Sequence, residues 1–161
     1  MFKKRFILLL SLCFISLVAC KNDKNSAETS IDPEILKQDS IQLTLNSDDK
    51  MKFDQKELVV GEGQMVTLTL HHTGKMSKET MGHNFVLLDQ GVNPSKFSQR
   101  ATQAKDNDYI PESDKIIAHT KLIGGGESTE ITFKAPKKGS YDFLCTFPGH
   151  YASMRGKFIV Q

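Results

Sequence analysis

A thiol, an imidazole and a thioether stand close together near the end of the chain, in the run Cys145-Thr146-Phe147-Pro148-Gly149-His150-Tyr151-Ala152-Ser153-Met154. Their spacing is Cys-x4-His-x3-Met, and an alternating apolar run precedes the cysteine. Sulfur donors combined with an imidazole nitrogen form the soft ligand set that copper prefers. The spacing therefore predicts that these three side chains bind one copper ion. The simpler alternative is a free core cysteine beside a turn histidine.

A second histidine is needed to complete such a site. Two histidines and a cysteine in a trigonal plane, with a weakly bound axial methionine, form an electron-transfer copper centre. His83 is the best supplier, because it comes just before the strand-like apolar run Phe85-Val86-Leu87-Leu88. The residues thus predict a mononuclear copper site that combines His83 with the three side chains of the later run.

Three runs of the sequence resemble the azurins, the bacterial blue-copper proteins of the cupredoxin family. In chain order they are Met81-Gly82-His83-Asn84-Phe85-Val86-Leu87, Ile117-Ala118-His119-Thr120-Lys121-Leu122-Ile123-Gly124 and Cys145-Thr146-Phe147-Pro148-Gly149-His150. The similarity extends from about Ser40 to Gln161. It implies an equatorial plane of His83, Cys145 and His150, with Met154 as the axial ligand. The Gly82 carbonyl would face the metal weakly from the other side.

The resemblance also assigns roles to residues around the metal. Asn84 and Thr146 match positions that tie the two ligand segments together and help to place the cysteine sulfur. Phe53 and Phe85 are expected to pack around the site. Azurins usually have tryptophan where this chain has Phe85, and the chain contains no tryptophan. Phenylalanine keeps an apolar wall, so we expect function to survive this difference.

The resemblance implies an exposed edge of His150 through which electrons pass, surrounded by an apolar patch. The patch corresponds to Met51, Met76, Met81, Phe147, Pro148, Gly149 and Ala152. Methionines and a small flat loop suit brief docking with more than one protein. The alternative for Met51 and Met76 is a place in the core. Family-level partners are redox proteins such as c-type cytochromes, nitrite reductase or peroxidase, and we expect a monomer.

Three further histidines, His71, His72 and His119, lie outside this ligand set. His119 and His72 match family histidines that do not bind copper, and we interpret His119 as structural or at the surface. His72 could titrate beside the site, because imidazole changes its charge near neutral pH. A second metal site at His71 and His72 is the less favoured hypothesis.

The chain begins with a segment typical of bacterial lipoproteins. A basic start at residues 3–5 precedes an apolar stretch at 6–18, which is too short to cross a membrane comfortably. The run Leu17-Val18-Ala19-Cys20 then places a small residue before a cysteine that would carry the lipid. An ordinary cleaved signal, in which Cys20 is incidental, is the alternative.

Three regions follow from this interpretation: a signal peptide at 1–19, a lipidated flexible tether at 20–38 and a cupredoxin domain at 39–161. The tether is polar and charged, as a flexible linker requires, although Pro33 and Ile35-Leu36 could begin to dock on the domain. We therefore expect a periplasmic protein anchored to a bacterial membrane through Cys20.

Charge and cysteine count exclude other classes. Cleavage removes three of the 21 basic side chains and none of the 19 acidic ones, which leaves 18 and a formal charge of −1. Nucleic-acid binding therefore has little support. Cys145 becomes the one thiol left without lipid, so this chain lacks the N-terminal disulfide that azurins have. An unpaired thiol in an exported protein is open to oxidation unless a metal holds it.

Alternating apolar residues predict an all-β fold. The pattern has period two at Ile41, Leu43 and Leu45, and it recurs in several later runs separated by glycine- and proline-containing turns. Such strands indicate a Greek-key β-sandwich or barrel of the cupredoxin type. One exception is the segment 93–105, where Asn93 can cap a helix that begins at Pro94.

These observations predict a one-electron carrier that performs no substrate chemistry. An oxidase would need more histidines for an oxygen-reducing cluster than the five present. A copper-binding or copper-delivery lipoprotein is the alternative function. Delivery favours exposed, exchangeable ligands, whereas the cysteine is expected to lie behind two ligand segments.

Overall fold

The computed structural model describes residues 32–161. Nine strands account for most of this region: β1 Ser40–Asp48, β2 Lys52–Phe53, β3 Glu57–Val60, β4 Met65–His72, β5 Val86–Leu88, β6 Ile116–His119, β7 Ser128–Lys134, β8 Gly139–Leu144 and β9 Arg155–Val160. They form a four-stranded sheet in the order β2-β1-β4-β7 and a five-stranded sheet in the order β3-β9-β8-β5-β6. The predicted Greek-key sandwich is confirmed.

Period-two alternation places one face of each sheet in a shared core. Along β4 every second residue is buried, and Val66, Leu68 and Leu70 are fully covered. Phe143 lies at the centre, with its ring 5.8 Å from Phe53 and 5.3 Å from Phe85. Each such fully buried apolar side chain contributes about 2–3 kcal/mol by leaving water. This packing fixes the strand ends from which the site is built.

One pole of the sandwich collects the strand ends that matter for the site. β1 and β4 run parallel and finish together, because Ser47 pairs with His72. In the other sheet, Leu144 at the end of β8 pairs with Val86 at the start of β5. The run that contains Cys145 therefore leaves the core beside the run that contains His83. We call this end the ligand pole.

The predicted helix is present as α2, Pro94–Ala101, although it ends four residues earlier than the predicted segment. The Asn93 side chain accepts a hydrogen bond from the Lys96 amide, which caps the first turn. Phe97 and Ala101 face inward. A second helix, α1, covers only Lys78–Met81 and precedes the ligand His83. Sequence reasoning did not predict α1, because four residues are too few to display a helical period.

The N-terminal segment docks at the opposite pole. A short 3-10 helix covers Ile35–Lys37, and the buried Gln64 side chain donates 2.7 Å hydrogen bonds to the carbonyls of Ile35 and Gln38. The side-chain oxygen of Gln64 accepts a hydrogen bond from the Gly61 amide. The described part of the predicted tether is therefore held against the domain by one glutamine.

The signal peptide, Cys20 and the tether before residue 32 lie outside the described residues. Within the described part, helices are all too short or too polar to cross a membrane.

Replacing Gln64 by alanine should release the N-terminal segment. The variant removes three hydrogen bonds and leaves the buried Gly61 amide without its side-chain acceptor, so we expect a loss of about 1–3 kcal/mol in the free energy of unfolding. Amide hydrogen exchange at 35–38 should accelerate. Gln55→Ala is the control, because Gln55 is exposed and makes one bond, to the Thr44 carbonyl. Equal destabilisation by both variants, with unchanged exchange at 35–38, would contradict this role.

Candidate metal centre

The two ligand segments are fixed by backbone hydrogen bonds at the ligand pole. His83 exchanges two 2.9 Å bonds with Ile123, so its backbone behaves like a short piece of sheet. Cys145 comes directly after β8, and its amide donates to the Met154 carbonyl at 2.9 Å. A cysteine at a strand end and a methionine at a strand start are thereby locked side by side.

Three donor atoms converge at the centre of the site. Cys145 Sγ lies 4.0 Å from His83 Nδ1 and 3.7 Å from His150 Nδ1, and the two nitrogens are 3.2 Å apart. An ion in trigonal coordination, with bonds of about 2.0 Å to nitrogen and about 2.3 Å to sulfur, would place the sulfur about 3.7 Å from each nitrogen and the two nitrogens about 3.5 Å apart. His83, Cys145 and His150 therefore fit one metal ion.

His83 is oriented by a bond on the far side of its ring. Its Nε2 lies 2.9 Å from the Asp48 carbonyl. A carbonyl can only accept, so Nε2 carries the proton and Nδ1 is free to bind a metal. A partner on the second ring nitrogen is the usual way in which proteins orient a ligating histidine. Asp48 contributes through its backbone, which sequence reasoning did not detect.

His150 is placed by a tight turn. Gly149 has φ +84°, a conformation that glycine adopts without strain. The His150 carbonyl accepts from the Met154 amide at 2.8 Å, which closes the loop between the two residues. The imidazole packs on Phe147 with 4.7 Å between ring centres. This loop buries Met154 completely and leaves His150 only 3% exposed, so the edge of His150 that was expected at the surface is almost covered by the loop.

Gly82 approaches the site closely. Its carbonyl oxygen lies 3.9 Å from Cys145 Sγ. A Cβ at this position would stand 2.5 Å from the Lys78 carbonyl oxygen and 2.9 Å from the Leu122 side chain. Only glycine allows α1 and the 122 region to pack so tightly here, which keeps the carbonyl aimed at the sulfur.

Asn84 links the ligand segments through its side chain. Its Oδ1 accepts from the Thr146 amide at 2.8 Å, and its Nδ2 donates to the Thr146 hydroxyl at 2.8 Å. Nδ2 also donates to the Asp108 carbonyl at 3.0 Å. Asn84 and Thr146 are both buried. One amide therefore connects the residues beside His83 and Cys145 to a third segment.

Asp108 and Thr120 are contributors that the sequence did not reveal. Asp108 adopts φ +52° and accepts from the Leu122 amide through its carboxylate. Thr120 is fully buried and accepts from the Phe85 amide at 2.9 Å. Both act on backbone groups of distant segments. Thr120 stands inside one of the azurin-like runs, which was the available signal.

Burial sets the protonation of the ligands without metal. It raises the pKa of the Cys145 thiol to about 11. It also lowers the pKa values of His83 and His150 to about 4. At neutral pH the site therefore holds one thiol and two neutral imidazoles.

The expected patch residues lie around the ligand pole, with graded exposure. Met51 and Met76 are 37% and 39% exposed, so neither belongs to the core. Met81 and Phe147 are half-buried, whereas Pro148, Gly149 and Ala152 are exposed. Their role in docking stays a prediction.

The other histidines have separate positions. His72 is buried and stacks 4.3 Å from the His83 ring. Its Nδ1 accepts from the Gly74 amide, and its Nε2 donates to the Met81 carbonyl. His71, on the opposite face of β4, contacts Ser128, and His119 is exposed. Within residues 32–161 the metal-binding group found is His83, Cys145 and His150.

Comparison with known proteins gives consistent matches. The family model described as "Copper binding proteins, plastocyanin/azurin family" matches residues 40–161. Azurin-1 of Alcaligenes xylosoxydans xylosoxydans is 41% identical over 113 residues, which cover 67% of this chain and 88% of that protein. Outer membrane protein H.8 of Neisseria gonorrhoeae is 42% identical over 118 residues, covering 71% of this chain and 64% of that protein.

A solved structure has a similar fold. The sodium-dithionite-reduced auracyanin of Roseiflexus castenholzii superposes with a TM-score of 0.69 at 36% identity, covering 77% of this chain and 99% of that one.

A two-sheet sandwich with a buried His-Cys-His group at one pole defines a cupredoxin with a mononuclear copper site. This chain belongs to the plastocyanin/azurin family of copper-binding proteins. It is a blue-copper electron carrier, and copper is its cofactor.

Metal binding should release one proton at pH 7. The thiol must ionise to bind, whereas both imidazoles are already neutral. Zn²⁺ is the suitable probe, because it does not oxidise the thiol. Between about pH 5 and 8 the apparent affinity should rise about tenfold per pH unit. Calorimetry in buffers of different ionisation enthalpy measures the proton count, and a value near two or zero would contradict this assignment.

Proposed function

We propose that this protein is a lipid-anchored periplasmic carrier that passes single electrons between redox proteins through the edge of His150. Copper bound by His83, Cys145 and His150, with Met154 and the Gly82 carbonyl as weak ligands, supplies the one-electron redox couple. The protein performs no substrate chemistry. The observation that carries the proposal is the convergence of three soft donors in one buried cluster.

The ligand residues are suited to electron transfer because they are confined. Asn84 donates a hydrogen bond to Thr146, the Asp48 carbonyl accepts one from His83, and Ile123 exchanges two with His83, so both ligand segments are restricted. A site that rearranges little between Cu(I) and Cu(II) lowers the barrier to electron transfer. Met154 and the Gly82 carbonyl would occupy the two axial positions of the copper weakly, so no open coordination position would remain for a substrate.

His150 is the proposed port. Its Nδ1 faces the cluster, and its ring lies beneath the loop of Phe147, Pro148 and Gly149. The His150 ring would provide a short path for the electron between the metal and a docked partner. The apolar patch around it would permit brief docking. Redox proteins such as c-type cytochromes, nitrite reductase or peroxidase are the proposed partners of a monomeric carrier.

Copper delivery is less well supported. Cys145 is fully buried and His83 is 0% exposed, whereas a delivery protein needs ligands that a recipient can reach. The anchor is supported by the sequence around Cys20 and by similarity to outer membrane protein H.8. The docked segment at 35–38 would put the ligand pole at the end of the domain opposite the anchor.

Visible and electron-spin spectra of the purified, copper-loaded protein test the proposal. We expect an intense blue absorption and a narrow copper hyperfine splitting, both lost in Cys145→Ser. Ser153→Ala is the matched control from the same loop, because the Ser153 hydroxyl makes only a 3.4 Å contact with the His150 carbonyl. A pale copper(II) spectrum in the wild type would contradict electron carriage and favour copper handling.

Fractionation of cells that express the full chain tests whether the protein is anchored to a membrane. The wild type should collect with the membranes and Cys20→Ser should not. Equal partition of the two forms would exclude the lipid anchor while leaving the copper site untouched.

A further inference from the structure

Three cations meet on one flank of the ligand loop. Lys52 lies on β2, Lys56 just before β3 and Arg155 at the start of β9, and all three are exposed. The Lys56 ammonium donates a 2.5 Å hydrogen bond to the carbonyl of Ser153, the residue before Met154. We call Lys52, Lys56 and Arg155 the cationic flank.

The charges of the cationic flank act on each other. Lys56 is exposed but partly removed from water, and this partial desolvation, followed by repulsion from Arg155 and Lys52, lowers its pKa. The hydrogen bond to Ser153 keeps the ammonium in this position despite the repulsion, because a carbonyl oxygen is a good acceptor for a charged donor.

Arg155 is held in a defined pose beside the port. Its Nη1 donates a 2.7 Å bond to the Tyr151 hydroxyl, and its guanidinium lies 4.9 Å from the centre of the Tyr151 ring. A stacked planar guanidinium is pre-organised for a bidentate bond with a carboxylate. Tyr151 also lines a groove with Pro148 and Gly149. The cation therefore adjoins the loop that covers His150.

No described acidic side chain lies within 4.0 Å of a charged nitrogen of the flank. Across residues 32–161, ion pairs within 4.0 Å involve other cations, such as Lys157 with Asp142. The nearby Asp54 carboxylate keeps its charge, but both of its oxygens accept hydrogen bonds from Asn46 rather than from a cation of the flank. Like charges that repel one another and have no carboxylate in contact favour a ligand of opposite charge.

We propose that the cationic flank docks the acidic surface of a redox protein next to His150. This rests on the proposed electron-carrier function and adds the chemistry of the partner. An acidic protein is a better match than an anionic membrane, because the flank adjoins the loop over His150 through which the electron would leave. One electron passes from the reduced protein to the oxidised partner, and no proton moves and no covalent bond forms or breaks.

A matched pair of haem proteins provides the probe. A lysine-rich mitochondrial cytochrome c and the same cytochrome after succinylation of its lysines carry one haem but opposite surface charges. The reduced, copper-loaded protein is mixed with each ferric cytochrome at about 10 mM ionic strength, where screening is weak. We expect the bimolecular rate to be about tenfold higher with the succinylated form. This preference should shrink as salt is added.

Charge variants locate the effect. Lys52→Glu with Arg155→Glu should abolish or reverse the preference, whereas the control Lys137→Glu with Lys138→Glu makes the same charge change at the opposite pole and should keep it. Lys56 is left intact to preserve its bond to Ser153. Each variant must retain the wild-type blue spectrum. If the glutamate pair does not, Lys52→Gln with Arg155→Gln replaces it, with Lys137→Gln and Lys138→Gln as control.

The outcomes separate the two proposals. Transfer to both cytochromes without a charge preference, or an equal change in the flank and control variants, overturns the docking role alone. Failure to reduce either cytochrome, together with the absence of a blue spectrum, contradicts the electron-carrier function. If the flank variants lose binding to phosphatidylglycerol micelles but keep the wild-type preference for the succinylated cytochrome, the flank binds anionic lipid and the protein-docking proposal is wrong.

Discussion

Buried hydrogen bonds between Asn84 and Thr146 keep the two segments that carry the copper ligands next to each other. They join residues that are 62 positions apart in the chain and lie next to His83 and Cys145. Breaking such buried bonds leaves polar groups unpaired, at about 1–3 kcal/mol for each group. The donor atoms therefore stand close to bonding separation because the protein holds them there. The strands determine the direction in which each ligand segment leaves the core, and the Asn84 side chain fixes the distance between the two segments.

The ligand pole combines this rigid interior with an adaptable exterior. Exposed methionines and the loop around His150 offer apolar contact without a fixed shape. The proposed cationic flank would add orientation through charge, which acts over longer distances than apolar contact. The opposite pole receives the N-terminal segment through Gln64. In the proposed arrangement, one end of the domain meets the anchor and the other meets the partner.

Sequence reasoning could predict features that recur with a fixed spacing. The alternation in β4 and the cap at Asn93 each have a local physical cause, so the sandwich and α2 were predictable. The ligand trio was predictable because donor chemistry restricts the residue types. Contacts made by backbone groups were not: nothing in the residue type of Asp48 or Ile123 reveals that its carbonyl will meet His83.

The cationic flank was equally hidden from the sequence. Lys56 and Ser153 are 97 positions apart, and the register of β3 with β9 brings them together. Lysine and arginine occur throughout the chain, so their types carried no signal. Gln64 is similar, since a polar residue beside a glycine turn predicts an exposed loop rather than a buried clamp on a distant segment.

The central claim is that the protein, rather than the metal, fixes the positions of the ligands. X-ray absorption spectroscopy of the copper-loaded protein in both oxidation states tests this most directly. The account predicts the same two nitrogen ligands and one short sulfur ligand in Cu(I) and Cu(II), with bond lengths equal to within about 0.2 Å. Loss of a histidine on reduction, or a gain of oxygen ligands on oxidation, would contradict it.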